Sequence, residues 1–307
     1  MPGPLNRRAR SLEEAALNMG ALHASAPRQN YRPLEPLPGD IYITSWAKSG
    51  TTLMQQMFHQ IRMVAATGAG DMDFDDISRM TAWEDTALIT DFDMNVAQRA
   101  APRGFKSHRE YERLPAGARY IVTLRDPHET YVSLYRFFDG WHIERGAIAM
   151  EDFFPLWLGG GPGGCDYVTH LLSWYARRGE PDTVLASYRW AAKNRTAMIR
   201  RLADFLGLAL TDEQLALVEH MTTRDFMSAH DDRFDDAMIC AAMEARIGVP
   251  AASDSTKVQA VASDVGALPA VVAAQIDALW AEKVAPVTGH ADFASLAAAL
   301  DRAERAI

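Results

Sequence analysis

Cysteine is nearly absent from this chain of 307 residues, which contains only Cys165 and Cys240. Two thiols cannot form the disulfide framework that small secreted domains need, so the sequence favours a reducing compartment. The chain also lacks any run of 18 or more apolar residues, and no apolar stretch follows its basic beginning. Neither a membrane span nor a secretory signal is predicted, and we expect a cytoplasmic protein.

Positive charge is also scarce, because 31 lysine and arginine residues stand against 40 aspartate and glutamate residues, for a formal net charge of −9. Nucleic acids and anionic membranes bind basic surfaces, so neither is expected as a partner. Any anion site must therefore be built locally. The basic cluster Arg7, Arg8 and Arg10 is followed at once by Glu13 and Glu14, and we interpret it as a solvated tail.

The chain is rich in apolar residues, which make up 48% of it and are enough to bury one large core. Three apolar runs of strand length are each followed by a polar turn and a segment with helical periodicity. The predicted strands are 41–44, 120–124 and 183–187, and the helices after them are 51–64, 128–138 and 193–206. This alternation predicts an α/β fold with a parallel sheet covered by helices on both faces.

The two ends of the chain differ from this central part. Residues 1–36 form an N-terminal arm with a short helical pattern at 11–24, which a series of prolines then ends. Residues 37–307 form a single domain without a repeat or a linker, and two helices at 269–283 and 293–305 complete it. Only the two long stretches 68–103 and 139–164 lack a regular pattern.

The turn after the first predicted strand has the composition of an anion-binding loop. It contains Lys48-Ser49-Gly50-Thr51-Thr52 at the start of a predicted helix, where free backbone N–H groups and the helix dipole favour an anion. The lysine adds a mobile charge and Gly50 lets the backbone approach closely. A polar turn that only caps the helix is the alternative. The Gly-x4-Gly-Lys spacing of a Walker A loop is absent, which disfavours a nucleotide kinase.

This loop resembles the 5′-phosphosulfate loop of the cytosolic sulfotransferases, which use 3′-phosphoadenosine 5′-phosphosulfate (PAPS) as donor. Arg125-Asp126-Pro127, with Ser133 further along the next helix, is similar to the family's 3′-phosphate element. Because both motifs occur in the family's order on strand-turn-helix units, the chain is identified as a bacterial-like member of this family. The resemblance implies a single P-loop-like α/β domain with a central parallel sheet flanked by helices on both faces.

The resemblance also implies roles for individual residues. His108, in the segment Phe105-Lys106-Ser107-His108, becomes the base that accepts the acceptor's proton, Lys48 contacts the leaving phosphate and Lys106 the transferred sulfuryl group. The implied donor-binding residues are Lys48, Ser49, Gly50, Thr51, Thr52, Arg125, Ser133, Tyr188, Thr222 and Lys257. PAPS is the expected co-substrate and adenosine 3′,5′-bisphosphate (PAP) the product. No Cys, His and Asp cluster has metal-ligand spacing, so no metal is predicted.

The sequence departs from the family at three positions. Leu53 stands where many members have a tryptophan that stacks on adenine, and Arg224 stands where a stacking phenylalanine is common. The C-terminal segment keeps Lys257 but has Gln259-Ala260-Val261 in place of the family's Arg/Lys-Gly pair. We therefore predict that Arg125 and Ser133 hold the 3′-phosphate and that Lys257 contributes less.

The two irregular stretches are expected to contain the acceptor site. These stretches and the helix end that precedes the second one carry many aromatic residues and acids: Trp83, Phe92, Phe137, Phe138, Trp141, Phe153, Phe154, Trp157, Asp71, Asp73, Asp75, Asp76, Asp91 and Asp93. Aromatic residues with acids around them suit an apolar ring or a cationic group, so we predict a small, largely apolar acceptor with a hydroxyl or an amine. The alternative is that most of these aromatic residues belong to the core.

Other interpretations stay open. A P-loop-like phosphotransferase acting on a small molecule would bind ATP with Mg²⁺, and a relative that has lost turnover would bind nucleotide without using a base. The adjacent acids at 75–76, 231–232 and 235–236 are interpreted as solvated loop residues without a catalytic role. A homodimer is left open.

Overall fold

Five parallel strands form the centre of the fold. A computed structural model describes residues 4–29, 31–160, 164–253, 257–258 and 265–304. The strands are β1 Ile41–Thr44, β2 Ala82–Trp83, β3 Gly104–Ser107, β4 Arg119–Leu124 and β5 Thr183–Ser187. They lie in the order β2-β3-β1-β4-β5, and all neighbours are parallel. The predicted α/β fold with a central parallel sheet flanked by helices is confirmed.

Helices connect and cover these strands. In the described part of the chain they are α1 Leu12–Ala24, α2 Thr51–Thr67, α3 Ile77–Met80, α4 Ala87–Thr90, α5 Pro127–Phe138, α6 Phe154–Leu158, α7 Tyr167–Ala176, α8 Tyr188–Lys193, α9 Arg195–Leu206, α10 Asp212–Met221, α11 Arg224–Ser228, α12 Ala237–Ile247, α13 Ala270–Leu279, α14 Ala285–Thr288 and α15 Phe293–Glu304. A π-helical turn at Trp280–Val284 continues α13. None of these helices combines the length and apolarity needed to cross a membrane.

Strand periodicity places the core on both faces of the sheet. Tyr42 and Phe105 point to one face, where they pack with residues of α5, α7, α13 and α15. Ile41 and Ile43 point to the other face, where they pack with α2, α9 and α10. Each of these buried side chains contributes roughly 1.5 to 3 kcal/mol of transfer free energy. The sheet is therefore held rigidly from both sides, and its strand ends provide fixed points for side chains.

Two of the five strands were not predicted. In β3 a lysine interrupts the apolar run, and lysine is almost never fully buried unless it is paired. The other strand, β2, has only two residues, too few for a pattern. The predicted helix 193–206 is in fact preceded by a separate helix, α8, because Asn194 leaves the helical conformation.

The basic cluster at 7–10 is not a solvated tail, so that prediction is wrong. Ala9 is fully buried. Its N–H donates to the carbonyl of His142 at 3.0 Å, and its carbonyl accepts from the N–H of Glu144 at 2.8 Å. Arg10 Nε lies 2.5 Å from the Glu144 carboxylate. These long-range contacts, which no local pattern signals, dock the arm against the segment that follows α5.

Candidate active site

One cavity of about 1420 Å³ lies where the carboxyl ends of the five strands meet. Parallel α/β sheets place ligand sites at this edge, because the loops that follow each strand converge there. All predicted site residues except Ser49, which is buried just beneath it, line the cavity: Lys48, Gly50, Thr51, Thr52, Lys106, His108, Arg125, Ser133, Tyr188, Thr222 and Lys257. Residues from several distant segments thus share one space.

The loop between β1 and α2 fits a bound anion. The buried hydroxyls of Ser49 and Thr51 have no hydrogen-bond partner among the described residues, and buried hydroxyls seldom lack one. Gly50 has a φ of 103°, and a Cβ there would lie 2.4 Å from the ring of Tyr188. Thr123 anchors the loop by donating its hydroxyl to the carbonyl of Ser49 at 2.7 Å. The free α2 amides and these two hydroxyls are suited to phosphate oxygens.

Lys48 extends from this loop into the cavity. Its ammonium lies 4.2 Å from the ring centroid of Phe137. Burial, and after it the positive charge of Lys257, lowers the pKa of Lys48 to about 7. An anionic ligand would counter both effects and favour the charged lysine.

His108 follows β3 and is held in one tautomer. Its Nδ1 lies 2.5 Å from the carbonyl oxygen of Ser45. A carbonyl can only accept, so Nδ1 carries the proton and Nε2 keeps a free lone pair. Burial, and then the charge of Lys106, holds the pKa of His108 well below its usual range. The imidazole is therefore neutral at physiological pH and able to accept a proton.

A buried charge cluster lies beside His108. Lys106 Nζ lies 3.6 Å from Asp236 Oδ1 and 3.3 Å from the ring centroid of Trp83. The same carboxylate oxygen accepts a hydrogen bond from Lys257. Asp236 is only 2% exposed, so the prediction that 235–236 are solvated loop acids is wrong for it. No sequence signal distinguishes it from the other paired acids, because its partners are far away in the chain.

The protonation of this cluster follows from burial and mutual charge. Burial lowers the pKa of Lys106 to about 7, although Asp236 opposes that shift. Burial by itself would raise the pKa of Asp236, but the positive charges of Lys106 and Lys257 outweigh burial and lower that pKa below the usual value. Burial by itself would lower the pKa of Lys257, but the Asp236 carboxylate outweighs burial and raises that pKa above the usual value. Asp236 is thus ionised and supports the charged form of both lysines.

Arg125 lies at a different part of the wall, after β4. Its Nε is 2.9 Å from one oxygen of the Glu129 carboxylate, and its Nη1 donates to the carbonyl of Lys48 at 2.8 Å. Arg189 Nη2 lies 2.5 Å from the other Glu129 oxygen. Glu129 thus bridges two arginines, and both of them line the cavity.

Lys257 is not part of this arginine group. It was predicted to contribute less than Arg125 and Ser133 to the 3′-phosphate, and its contacts are Asp236, Lys106 and the ring of Trp83, 5.6 Å away. Residues 259–261, in which the family's Arg/Lys-Gly pair is missing, lie outside the described residues.

Further cations lie at the arginine end, and sequence reasoning gave no site role to two of them, Lys193 and Arg195. Lys193, Arg195 and Arg224 line the cavity together with Leu53 and Thr222. The helices α8 and α9, which follow β5, carry the first two of these cations, so their position after a strand was the available signal. This end is locally basic in a chain of net charge −9, which favours an anionic ligand.

The aromatic residues of the irregular stretches divide into two groups. Trp83, Phe137, Phe138 and Trp141 line the cavity. The others belong to the core or pack against it: Phe92, Phe153, Phe154 and Trp157. Both predicted alternatives therefore apply, each to half of the set.

The six acids that suggested a cationic group do not line the cavity, contrary to the prediction, although Asp85 of the first stretch does. Asp71 binds Arg99 at 2.7 Å, and Asp76 caps α3 instead. The wall opposite the lysines is built partly by α1, a segment to which the sequence analysis gave no role in the site. Its contributions are Leu12, Ala15, Ala16, Met19, Leu22 and His23. This part of the cavity wall is consequently more apolar than expected.

Within the described ranges, no group of three or more His, Cys, Asp or Glu side chains is arranged to hold a metal ion. The positive charge of the cavity comes from lysine and arginine.

Comparison with known proteins identifies the family. The family model of the sulfotransferase domain matches residues 38–238. The chain belongs to the sulfotransferase family. The predicted resemblance to cytosolic sulfotransferases is confirmed, and the matched region includes β1 to β5 with the turns that follow β1 and β4.

Individual relatives are distant. The chain is 26% identical over 133 residues to sulfotransferase 6B1 of Danio rerio, which covers 42% of this chain and 45% of that protein. It is 25% identical over 190 residues to cytosolic sulfotransferase 17 of Arabidopsis thaliana, with coverage of 58% and 54%. The chain thus matches about half the length of these curated relatives. Since one is from an animal and the other from a plant, the bacterial-like character stays a prediction.

A solved structure agrees in fold. Retinol dehydratase in complex with androsterone and the inactive cofactor PAP has a TM-score of 0.62 and 16% identity, with coverage of 85% of this chain and 84% of that one. At this identity the likeness concerns the fold alone.

Proposed function

We propose that this sulfotransferase moves the sulfuryl group of PAPS to a hydroxyl, or an amine, of a small and largely apolar acceptor. The observation that carries the proposal is the shared cavity, in which the unpartnered buried hydroxyl of Thr51 and two lysines line the same space as a neutral histidine. An anion-binding loop alone would suit many nucleotides. A base held in one tautomer beside it suits group transfer to a hydroxyl.

The chain's own residues account for each requirement of an in-line transfer. The acceptor oxygen attacks sulfur while the bond from sulfur to the bridging phosphate oxygen breaks, and His108 Nε2 takes the acceptor's proton. Lys48 stabilises the charge that develops on the leaving oxygen, and Lys106 stabilises the sulfuryl oxygens. The loop Ser49–Thr52 holds the 5′-phosphate through its amides and hydroxyls.

Arg125 and Ser133 are proposed to hold the 3′-phosphate. Arginine can meet phosphate oxygens through two parallel hydrogen bonds, whereas a lysine supplies one point charge. Arg189 shares Glu129 with Arg125 and adds a second guanidinium at this end. The position of Lys257 beside Asp236 supports its exclusion from this subsite.

The acceptor half supports an apolar molecule. Four aromatic side chains and one face of α1 line it, and retinol dehydratase was solved with the steroid androsterone beside PAP. Because the acids that suggested a cationic acceptor lie elsewhere, a hydroxyl is the first choice and an amine the second.

Three broader predictions stay part of this proposal. Residues 1–36 act as an arm on a sulfotransferase domain of 37–307, the protein works in the cytoplasm, and nucleic acids and membranes are not its partners. The named Arabidopsis relative is a cytosolic enzyme, and the net charge of −9 disfavours anionic partners. A homodimer stays a prediction that sedimentation analysis would test.

Thermal unfolding with PAP, adenosine 5′-monophosphate and ATP-Mg²⁺ tests the donor. PAP at 100 times its Kd should stabilise the protein by roughly 2.7 kcal/mol, while the other two nucleotides stabilise it less. A larger shift with ATP-Mg²⁺ would favour the phosphotransferase alternative. Sulfation assays with phenols, steroids, amines and glycans then test the acceptor, and stabilisation by PAP without any turnover would favour the non-catalytic alternative.

A further inference from the structure

Asp236 has a combination of features that packing alone does not explain. It immediately precedes α12 in a left-handed conformation, with φ of 55° and ψ of 43°. Residues other than glycine adopt this region at a cost, and such residues concentrate at functional sites. Its Oδ1 meets two lysines, while its buried Oδ2 has no hydrogen-bond partner among the described residues. The contacts of this carboxylate are therefore explained by its negative charge, which faces two lysines.

The two lysines come from segments far apart in the chain. Lys106 belongs to β3, next to His108, and Lys257 lies beyond α12. Trp83, at the end of β2, packs against both ammonium groups, with ring-centroid distances of 3.3 Å to Lys106 and 5.6 Å to Lys257. An aromatic face and one carboxylate together fix two cations that would otherwise repel each other.

A third lysine lies near this cluster. Lys48 is close enough for its charge to interact with those of Lys257 and Asp236. Two lysines thus contact one carboxylate, with a third lysine nearby, beside the imidazole that would take the acceptor's proton. Fixed positive charge at such a point stabilises the negative charge that develops on the sulfuryl oxygens during transfer.

We propose that Lys257 is a third lysine at the transferred sulfuryl group, and that Asp236 is a positioning residue that holds Lys257 and Lys106 together. The inference rests on the proposed function. When the donor binds, Lys257 donates to a sulfuryl oxygen, while Asp236 keeps its contact with Lys106.

The first test separates the sulfuryl group from the 3′-phosphate, because PAP has the phosphate and lacks the sulfuryl group. Lys257→Ala should lower kcat about tenfold to a hundredfold, the usual effect of losing one charge-assisted contact. Its Kd for PAP, measured by calorimetry, should stay within about twofold of the wild type. A tenfold weaker PAP affinity with unchanged kcat would assign Lys257 to the 3′-phosphate and overturn the proposal.

The second test uses pH. Asp236→Asn removes the charge that opposes the lowering of the Lys106 pKa, which is about 7 in the wild type. Because protonated lysines are needed, kcat/KM of the variant should begin to fall at a lower pH than that of the wild type. The charged or titratable groups that face Asp236 are Lys48, Lys106, Lys257, Asp76, Asp235, His142 and Cys240. An unchanged alkaline limb would overturn the positioning role.

Control variants distinguish a failure of this inference from a failure of the proposed function. Asp232→Asn changes an exposed acid that pairs with Arg233 and should leave kcat and its pH profile unchanged. PAP-induced stabilisation shows whether each variant is folded, and Lys257→Ala decides alone if Asp236→Asn is not. Absence of turnover in the wild type would contradict the proposed function itself, whereas wild-type turnover with unchanged variants would contradict only this inference.

Discussion

The two ends of the cavity use the same arrangement for different purposes. At one end Asp236 joins Lys106 to Lys257, and at the other end Glu129 joins Arg125 to Arg189. Each carboxylate holds two cations that the fold brings from separate segments. The two arrangements differ in burial and in the type of cation.

These differences decide what each end can do. Asp236 is 2% exposed and Glu129 is 14% exposed, while Arg189 is 82% exposed. Burial moves the pKa of Lys106 to about 7, so the lysine end responds to charge and proton movements nearby. Arginine stays protonated under all physiological conditions. The lysine end is thus suited to the chemical step and the arginine end to binding the nucleotide.

The largest effect should come from replacing His108, the proposed general base beside the lysine end. His108→Ala should lower kcat by about two to four orders of magnitude, because a general base contributes that much to a proton-transfer step. The Kd for PAP should stay nearly unchanged, since His108 acts on the acceptor. Steady-state kinetics and calorimetry measure both quantities. Wild-type turnover in the variant would mean that another group takes the proton.

The corresponding change at the arginine end should affect binding and leave chemistry nearly intact. Arg125→Ala should weaken PAP binding about tenfold to a hundredfold, through loss of charge-assisted contacts to the 3′-phosphate. Affinity for adenosine 5′-monophosphate, which lacks that phosphate, should change little. Arg189→Ala is the matched control and should cost less, because its side chain is far more exposed. Equal losses for both nucleotides would contradict the assignment of Arg125.

Removing each carboxylate should give effects of opposite sign. Glu129→Gln takes away a negative charge that competes with the 3′-phosphate for Arg125, so PAP affinity should rise by up to about fivefold, the scale of a partly exposed ion pair. Asp236→Asn should instead lower turnover. Calorimetry with PAP checks the first statement. A loss of affinity in Glu129→Gln would show that Glu129 orients Arg125 for the phosphate.

The smallest effect is expected where neither end is involved. Met19 on α1 lines the acceptor half of the cavity, and Met19→Ala should raise the acceptor KM about twofold to threefold by removing apolar contact. PAP affinity should be unaffected. Leu17→Ala, on the exposed side of the same helix, is the control and should change neither value. Identical acceptor kinetics in both variants would exclude α1 from acceptor binding.

Prediction from the sequence worked best where the functional residues lie in one continuous segment. The loop from Lys48 to Thr52 follows a strand and begins a helix, so its hydroxyls and amides could be assigned from order alone. Asp126 before Pro127 marks the start of α5, and the structure has the Asp126 carboxylate accepting from the N–H of His128 at 2.8 Å. Such features depend on hydrogen bonds between neighbours in sequence, which composition and spacing predict well.

The parallel arrangement of the sheet, the helices on both faces and the two strand-turn-helix junctions after β1 and β4 were determined by the sequence alone, because periodicity and caps are local. The tertiary structure decided the position of Lys257, the burial of Asp236 and the contribution of α1 to the cavity. A pair of adjacent acids is solvated unless cations from distant segments pack against it. Lys106 and Lys257 contact Asp236 only after the sheet and the C-terminal loop have packed. Charge neutralisation in a buried site depends on such long-range contacts, which local spacing does not encode.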